Sequence, residues 1–251
     1  MNLVAVLPYH HHVEVDHWNS FKPGTFREQF RVRLPDGNSF WMGAALNGTS
    51  VAWGRCRVDF NPNKVANSDA LQALLGFFKD NTHRIQRKAT RFDLAIDIPV
   101  QRQNCFLIKD RRLFIERRHG QELTQYLGSK SSTVGRVKLY NKSIESNLDY
   151  PLTRLELTLD PSVPHEKINW PKVFYVDADE ICIGEGRITD TELFILNALL
   201  QGYGSLTDLG RKTRAKIEML MQTYLKTVEV SAESYAVIQT QLQTYISENS
   251  L

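Results

Sequence analysis

A tyrosine lies near the end of a short segment in which polar and apolar residues alternate. Arg136, Lys138 and Tyr140 occupy every second position, aliphatic residues lie between them, and Lys142 continues the parity. In an extended strand these four polar residues share one face. A phenol oxygen can attack a phosphodiester and form a covalent phosphoester, but its ordinary pKa of about 10 requires help from a nearby cation or base. The pattern therefore predicts Tyr140 as a nucleophile and the three cations as catalytic groups that stabilise the transition state.

Carboxylates occupy the polar positions of two further alternating segments, 90–98 and 153–159. Asp93 and Asp97 share a face of the first, and Glu156 lies on the polar face of the second. Oxygen ligands of this kind suit Mg²⁺ or Mn²⁺, and such an ion polarises a phosphodiester oxygen as a Lewis acid. We therefore predict Mg²⁺ or Mn²⁺ as the cofactor and these three acids as its candidate ligands.

A fourth alternating segment, from Arg57 to Phe60, has the same pattern. If the four strands are neighbours, one sheet face carries the acids, several guanidinium groups and the tyrosine. The alternative is an antiparallel sheet whose solvated face is simply charged. Because Arg and Asp are poor strand formers on a face where Thr or Val would serve, we favour a functional face.

The segment from Tyr126 to Ser131 combines a glycine, hydroxyl groups and a lysine, so it is a candidate contact for a phosphate backbone. It is not a P-loop, because the upstream glycine of that motif is missing. An ordinary turn is the alternative. Tyr126 is also the main rival to Tyr140 as a nucleophile, although stacking on a base or packing suits it better.

The formal net charge of +3 conceals an uneven distribution. Residues 79–142 hold 15 Lys and Arg against 6 acids, a net charge of +9, so the rest of the chain carries −6. A basic region of this kind is typical of proteins that bind polyanions, and a solvated basic face is the alternative. A second basic segment, from Arg211 to Lys216, allows the same two interpretations.

Composition excludes several classes of protein. The chain has 251 residues, 42 % hydrophobic and 24 % charged, which excludes bulk disorder and a fibrous architecture. We find no pattern typical of a transmembrane helix or a signal peptide. The three cysteines are far apart and odd in number, which favours reduced thiols over disulfides or a zinc site. We therefore expect a cytoplasmic protein with no membrane partner.

Local patterns predict an α+β fold, with a mostly antiparallel, sheet-rich catalytic body, flanking helices and a helical C-terminal region. A hairpin is predicted over Phe26 to Met42, and a capping box begins a helix at Thr189. Further strands are predicted at 90–98, 105–108, 112–116, 134–140 and 153–159, and further helices at 68–78, 213–228 and 231–246. The predicted domains are 1–180 and 181–251.

Five motifs follow one another in a characteristic order. They are RVDFNPNK from Arg57, TRFDLAID from Thr90, YLGS from Tyr126, VKLYNK from Val137 and RLEL from Arg154. In this order the chain resembles the trans-acting replication initiators of staphylococcal-type rolling-circle plasmids. That family includes related nicking proteins of phages and of integrative conjugative elements. The motifs span residues 55–160, and the helical tail resembles the family only loosely.

The resemblance implies a DNA nickase and strand transferase that initiates rolling-circle replication. Such proteins cut one strand at an origin with a tyrosine, which stays joined to the 5′ end and leaves a 3′-OH as primer. The tyrosine of the family's YNK motif corresponds to Tyr140, and the acids of its other motifs fit Asp93, Asp97 and Glu156. The candidate DNA contacts are Arg57, Asn61, Arg91, Tyr126, Ser129, Lys130, Asn141 and Arg154.

The resemblance also implies partners and leaves alternatives. The partners are origin DNA with a single-stranded or cruciform nick site, a second copy of the chain in a homodimer, and a host DNA helicase. Two departures stand out: the segment before the first motif is short, and Ser143 stands where the family has a basic residue. A conjugative relaxase of the same family and a non-catalytic DNA-binding regulator are the alternative functions.

Two other groups of residues have less specific patterns. The run His10 to His12, with His17, resembles a metal site or the histidine pair of another class of nicking enzyme. Consecutive strand residues point to alternating faces, so polar edge residues are favoured. The aromatic residues Trp41, Trp53 and Phe60 are predicted to be core rather than platforms for bases.

Overall fold

The computed structural model describes residues 12–46, 56–65, 67–80, 89–120, 122–130, 132, 134–177 and 188–248. Predictions for His10, His11, Trp53 and Cys182 fall outside these residues. The described backbone contains helices and antiparallel sheets with helices towards the C-terminus, so the predicted α+β class is confirmed. Within it, no helix is long and apolar enough to cross a membrane.

The described strands form three antiparallel sheets. The strands are β1 (Glu14–Asn19), β2 (Phe26–Arg33), β3 (Ser39–Leu46), β4 (Cys56–Asp59), β5 (Phe92–Ile98), β6 (Cys105–Leu107), β7 (Phe114–His119), β8 (Glu122–Leu127), β9 (Val134–Asn141), β10 (Thr153–Leu159), β11 (Val173–Val176) and β12 (Leu225–Thr227). The α-helices are Pro62–Val65, Asp69–Asp80, Lys142–Ser146, Asp190–Leu200, Arg211–Met219 and Ala232–Glu248.

The backbone divides into two compact units, residues 1–88 with 243–251 and residues 89–242. The first contains the sheet β1-β2-β3-β4, and the second contains the sheets β5-β10-β9-β8-β7 and β12-β11-β6. Most of the C-terminal helical segments thus belong to the same unit as the five-stranded sheet. The predicted domain boundary near residue 180 stays a prediction.

The first unit packs one face of its sheet against the helix Asp69–Asp80. Phe30, Val32 and Met42 join Leu71 and Leu74 of the helix in one buried cluster. The predicted hairpin is confirmed by the antiparallel pairing of β2 with β3. Phe60 packs against this cluster as predicted.

Two predictions for this unit are wrong. Trp41 is not a core residue, because it alternates with the buried Phe40 and Met42 and so lies on the other face of β3, opposite Arg31. There its ring packs edge to face against Phe26, 5.7 Å between centroids. The strand that contains Arg57 is also misplaced, because β4 pairs with β3 and not with the strands of the second unit.

The five-stranded sheet of the second unit has one apolar face. Leu155, Leu157 and Leu159 alternate along β10 and are at most 1 % exposed. They belong to a buried cluster with Leu139 of β9 and with Tyr235 of the C-terminal helix. Burial of these aliphatic side chains removes apolar surface from water and fixes the register of the central strands, because a slip by one residue would turn the leucines outwards. The polar residues between them therefore stay on the opposite face.

The C-terminal elements differ in part from their predictions. Thr189 caps the helix Asp190–Leu200 in a capping box with Glu192, as predicted. The predicted helix 213–228 is shorter, because the α-helix Arg211–Met219 passes into a π-helical turn and then into β12. Pairing of β12 with β11 satisfies backbone groups that a longer helix would have bonded internally.

Arg112 fastens the start of β9 to a neighbouring loop. Its guanidinium donates from one nitrogen to the carbonyl oxygens of Gly135 and Asn169, each at 2.7 Å, and it pairs with Asp110 at 2.6 Å. Gly135 has φ +100°, and a Cβ there would lie 2.8 Å from the Asn169 carbonyl oxygen. The glycine therefore permits the close approach that positions Arg136 and the rest of β9.

Replacing Gly135 with alanine is expected to lower the free energy of unfolding by about 2 kcal/mol, through unfavourable backbone strain and the contact with Asn169. Thermal unfolding measures this change. Gly76→Ala is the control, because a Cβ at this helical position meets nothing within 4 Å and is expected to stabilise the helix by about 1 kcal/mol. A Gly135→Ala protein as stable as the wild type would contradict the close approach.

Candidate active site

A row of polar residues crosses three neighbouring strands at one end of the five-stranded sheet. Arg154 on β10 lies opposite both Asp97 on β5 and Tyr140 on β9. Glu156, two residues further along β10, lies opposite Lys138 on β9. Opposed side chains in an antiparallel ladder have Cβ atoms about 5 Å apart. The prediction that these residues share one sheet face is confirmed.

Tyr140, Glu156 and Lys138 form one contact cluster on this face. The hydroxyl of Tyr140 donates a hydrogen bond to Glu156, with Oη and Oε1 2.7 Å apart. The other carboxylate oxygen, Oε2, lies 3.7 Å from Nζ of Lys138. The same ammonium lies 3.6 Å from the centroid of the Tyr140 ring, where the π electrons attract a cation. A proton acceptor and a cation therefore both contact the predicted nucleophile.

Asp97 and Arg154 form a two-pronged ion pair beside this cluster. Nε of Arg154 donates to Oδ1 of Asp97 at 2.6 Å, and a terminal guanidinium nitrogen donates to Oδ2 at 2.7 Å. These bonds, with the charges of Arg154 and Lys142, hold the pKa of Asp97 below its ordinary value despite partial burial. Asp97 in turn raises the pKa of Arg154. The guanidinium opposite the phenol is therefore a fixed positive charge.

The environment of Tyr140 keeps its phenol protonated. The residue is only 4 % exposed. Burial raises the pKa of Tyr140 above its ordinary value, the hydrogen bond to Glu156 and the charges of Glu156 and Glu145 raise it further, and only Arg154 opposes them. A phenol in this state does not ionise spontaneously near neutral pH. It needs a base at the moment of attack, and the carboxylate of Glu156 is already hydrogen-bonded to it.

A short helix, Lys142–Ser146, follows directly after Tyr140. The side chain of Asn141 caps it by accepting a hydrogen bond from the Ile144 amide at 3.1 Å. Within the helix Lys142 forms an ion pair with Glu145. Although burial raises the pKa of Glu145, the hydrogen bond and charge of Lys142 lower it overall. Asn141, predicted as a DNA contact, therefore uses its side-chain oxygen for a cap, and Lys142 has a carboxylate partner.

The three predicted metal ligands share the face but do not converge. Glu156 lies opposite Ala95, between Asp93 and Asp97 along β5, so it is diagonal to both aspartates. Asp97 is held by Arg154, and Glu156 is bonded to Tyr140 and paired with Lys138. Among the described residues, no group of three or more histidines, cysteines and acids is placed to hold a metal ion. The donor chemistry suits Mg²⁺ or Mn²⁺, but the present arrangement does not form a site for either.

Tyr126 lies one strand further from the cluster, on β8 opposite Lys138. Two guanidinium carbons lie over its ring, that of Arg117 at 5.7 Å and that of Arg136 at 5.6 Å from the centroid. Arg136 therefore contacts Tyr126 and shares a face with Tyr140. Tyr126 is itself a residue of β8, which ends at Leu127. The segment predicted as a turn or a phosphate contact therefore begins only at Gly128.

The other predicted DNA contacts are spread over both units. Arg91 immediately precedes β5, and Ser129 and Lys130 follow β8, all in the second unit. Arg57 and Asn61 belong to the first unit, where the Arg57 guanidinium pairs with Asp59 at 3.1 Å. A DNA-binding role for these five residues stays a prediction.

Two residues that the structure brings near these side chains, Arg117 and Glu145, were assigned no role from the sequence, although Glu145 fits the pattern of the family that the chain resembles. Arg117 contributed to the basic count of its region, but β7 is exposed on both faces from Ile115 to His119, so no alternation distinguished it. Glu145 lies three residues after Lys142, a spacing typical of ion pairs on a helix. That spacing could have predicted the ion pair of Glu145 with Lys142. The position of Arg117 beside Tyr126 follows only from the pairing of β7 with β8.

Comparisons with known proteins give limited similarity. No protein-family model matches the chain, and no curated protein matches it. Among solved structures, the chain is similar to the rolling circle replication initiator protein from Geobacillus stearothermophilus. The two are 13 % identical, the alignment covers 75 % of this chain and 83 % of that chain, and the TM-score is 0.34. Similarity at this level does not establish a common fold.

Proposed function

We propose that this chain is a DNA nickase and strand transferase that initiates rolling-circle replication. One observation carries the proposal: a nearly buried tyrosine donates a 2.7 Å hydrogen bond to a carboxylate, on a sheet face that also carries Lys138 and Arg154. This arrangement suits attack by a phenol on a phosphodiester. The order of the five sequence motifs supports the same activity and gives it a biological setting.

Glu156 is the general base of the proposed reaction. As the Tyr140 oxygen forms a bond to phosphorus, the phenol proton passes to Glu156 across their hydrogen bond. The bond from phosphorus to the 3′ oxygen breaks, and that oxygen takes up a proton from water. The products are a 5′-phosphotyrosine and a free 3′-OH. Rejoining reverses these steps, with Glu156 returning the proton to the leaving phenol.

The cations around Tyr140 have separate tasks. Lys138 lies against both the phenol ring and Glu156, so it can stabilise negative charge as it moves from the carboxylate to the phosphate oxygens. Arg154 lies opposite Tyr140 in the strand register, and its two bonds to Asp97 fix the plane of its guanidinium group. A planar guanidinium suits phosphate recognition, and this one is pre-positioned.

The burial of Tyr140 constrains the substrate. Because little of the Tyr140 residue is exposed and its hydroxyl is bonded to Glu156, an approaching phosphodiester must displace part of this set of contacts. An incoming phosphate competes with Asp97 for Arg154 and with Glu145 for Lys142. A flexible single strand, as in a cruciform loop, enters such a site more easily than a base-paired backbone.

Covalent capture tests the proposed activity. A single-stranded oligonucleotide from the inverted repeat beside the gene, labelled at its 3′ end, is expected to become joined to the protein and to migrate with it on a denaturing gel. A 5′ label is expected to leave with the released fragment. If neither label becomes attached to the protein in the presence of Mn²⁺, the chain is not a nickase of this kind.

The resemblance also implies that cutting requires a divalent metal, and the arrangement of the acids provides no preformed site for one. Adduct formation is expected to stop in EDTA and to return with Mn²⁺. Asp93→Asn is expected to raise the Mn²⁺ concentration needed for half the maximal rate, because Asp93 lies on the same face and forms no ion pair with another described residue. An unchanged rate in EDTA would contradict the metal requirement.

Origin DNA, a second copy of the chain and a host helicase are the proposed partners. The basic region that includes β7, β8 and β9 supports DNA binding through its charge. The dimer and the helicase rest on the sequence resemblance alone. Sedimentation with and without origin DNA distinguishes a dimer from a monomer.

A further inference from the structure

Two arginines flank Tyr126 on the same sheet face as the proposed nucleophile. Arg117 is on β7, and Arg136 is on β9, so the two come from the strands on either side of β8. Their guanidinium carbons lie 5.7 Å and 5.6 Å from the centroid of the Tyr126 ring. Neither arginine forms an ion pair with a described residue, unlike Arg154 and Arg112 of the same unit.

In the strand register the two arginines are diagonal neighbours of Tyr126, one on each adjacent strand and in opposite directions along β8. Arg117 lies opposite Thr124, two residues before Tyr126. Lys138 lies opposite Tyr126, so Arg136 lies beside Gly128, two residues after it. Gly128 has φ +93°, and a Cβ there would lie 3.5 Å from the Cα of Arg136. The arginines therefore approach the ring from opposite directions, one along each neighbouring strand.

We propose that Arg117, Tyr126 and Arg136 form a subsite for an unpaired nucleotide of the nicked strand, next to the scissile phosphate. The position of this subsite next to the cut rests on the proposed function. Tyr126 lies opposite Lys138 across the sheet, and Lys138 contacts the ring of Tyr140, two residues further along β9. Guanidinium planes and aromatic rings both stack on bases. The guanidinium edges remain available to donate hydrogen bonds to phosphate oxygens.

An unpaired strand fits this surface better than a duplex does. The bases of a duplex are stacked on one another, so their faces are not available to a tyrosine or a guanidinium plane. Among the described strands β7 is the edge of the sheet, and its residues from Ile115 to His119 are exposed, so a strand can continue past Tyr126 over this edge. The nearly buried phenol of Tyr140 also favours an unpaired strand at the scissile phosphate.

The subsite is tested by binding, with Tyr140→Phe as the background so that no cutting occurs. Fluorescence anisotropy compares hexathymidylate with the same backbone in which every base is replaced by an abasic unit. The parent protein is expected to prefer the oligonucleotide with bases by about tenfold, the typical effect of one stacked base. Arg117→Lys, which keeps the charge, and Tyr126→Leu are expected to lose most of this preference while still binding the abasic backbone.

Arg118→Lys is the matched control. Arg118 is the next residue on β7 and therefore points to the opposite face of the sheet, so its replacement is expected to leave the preference for bases intact. Retention of the preference in Arg117→Lys, or an equal loss in Arg118→Lys, would overturn the proposal. So would equal competition by a hairpin duplex, which would identify paired DNA as the occupant. Because Arg117 is exposed, its replacement is not expected to alter folding, and thermal unfolding verifies this.

The subsite and the proposed function fail in different ways. If wild-type protein forms no covalent adduct but distinguishes hexathymidylate from its abasic form through Arg117 and Tyr126, the nickase is refuted and the subsite stands. If the adduct forms but binding ignores the bases in every variant, the subsite is refuted and the nickase stands.

Discussion

Tyr140→Phe is expected to abolish the covalent protein–DNA adduct while leaving DNA binding intact. The variant keeps the ring that contacts Lys138 and removes only the oxygen that attacks phosphorus. Without a nucleophile the rate of adduct formation is expected to fall at least about 10³-fold. A denaturing gel with a 3′-labelled oligonucleotide measures the adduct, and anisotropy measures binding to the same oligonucleotide.

Tyr126→Phe is the control for this experiment, because Tyr126 is the rival phenol on the same face. It is expected to form the adduct at a rate close to that of the wild type, since the ring and its cation contacts remain. An adduct that persists in Tyr140→Phe and disappears in Tyr126→Phe would show that Tyr126, and not Tyr140, is the nucleophile. Peptide mapping of the wild-type adduct identifies the joined residue directly.

Glu156→Gln is expected to slow adduct formation by about 10²- to 10⁴-fold at saturating DNA, the usual effect of removing a general base. The glutamine keeps the shape of the side chain and a carbonyl oxygen near Tyr140, but it cannot accept the phenol proton.

The same variant distinguishes a base from a metal ligand. If Glu156 mainly binds metal, additional Mn²⁺ is expected to restore the rate of Glu156→Gln; if it is the base, added metal has little effect. Glu122→Gln is the control, because Glu122 is an exposed carboxylate of the same sheet, on β8. Equal losses in both variants would show that removal of negative charge, rather than loss of the base, slows the reaction.

The central strands of the fold were predictable because their alternation is regular. From Leu155 to Leu159 of β10 every second residue is a leucine at most 1 % exposed, and the residues between are polar, so the period of two appears directly in the sequence. β7 has no such period because both of its faces are exposed. The strand with Arg57 alternates as clearly as β10 does, but alternation does not specify the sheet to which a strand belongs.

The sequence was sufficient to predict that the candidate site residues share one face of the sheet, but not which of them contact one another. Parity alone placed Tyr140, Lys138, Glu156 and Asp97 together. Parity does not specify register, and register decides that Arg154 rather than Glu156 lies opposite Asp97. The pairing of Asp97 with Arg154, and of Glu156 with Tyr140, therefore changes Glu156 from a predicted metal ligand to the proposed base. Trp41 was misassigned because an aromatic residue in a strand has the same sequence signal on either face.

If the chain nicks DNA as proposed, the backbone around Tyr140 has a mechanical consequence for the cut strand. Tyr140 pairs with β10, and the next turn is anchored by a hydrogen bond from the Lys142 amide to the Leu152 carbonyl oxygen at 2.8 Å. A 5′ end joined to this tyrosine would be held by the paired strands of the sheet, whereas the 3′ end would have no covalent tether. Torsional stress in a supercoiled circle would therefore be released by swivelling of the untethered 3′ end about the intact complementary strand. Each turn of that swivel changes the linking number by one before the ends are rejoined.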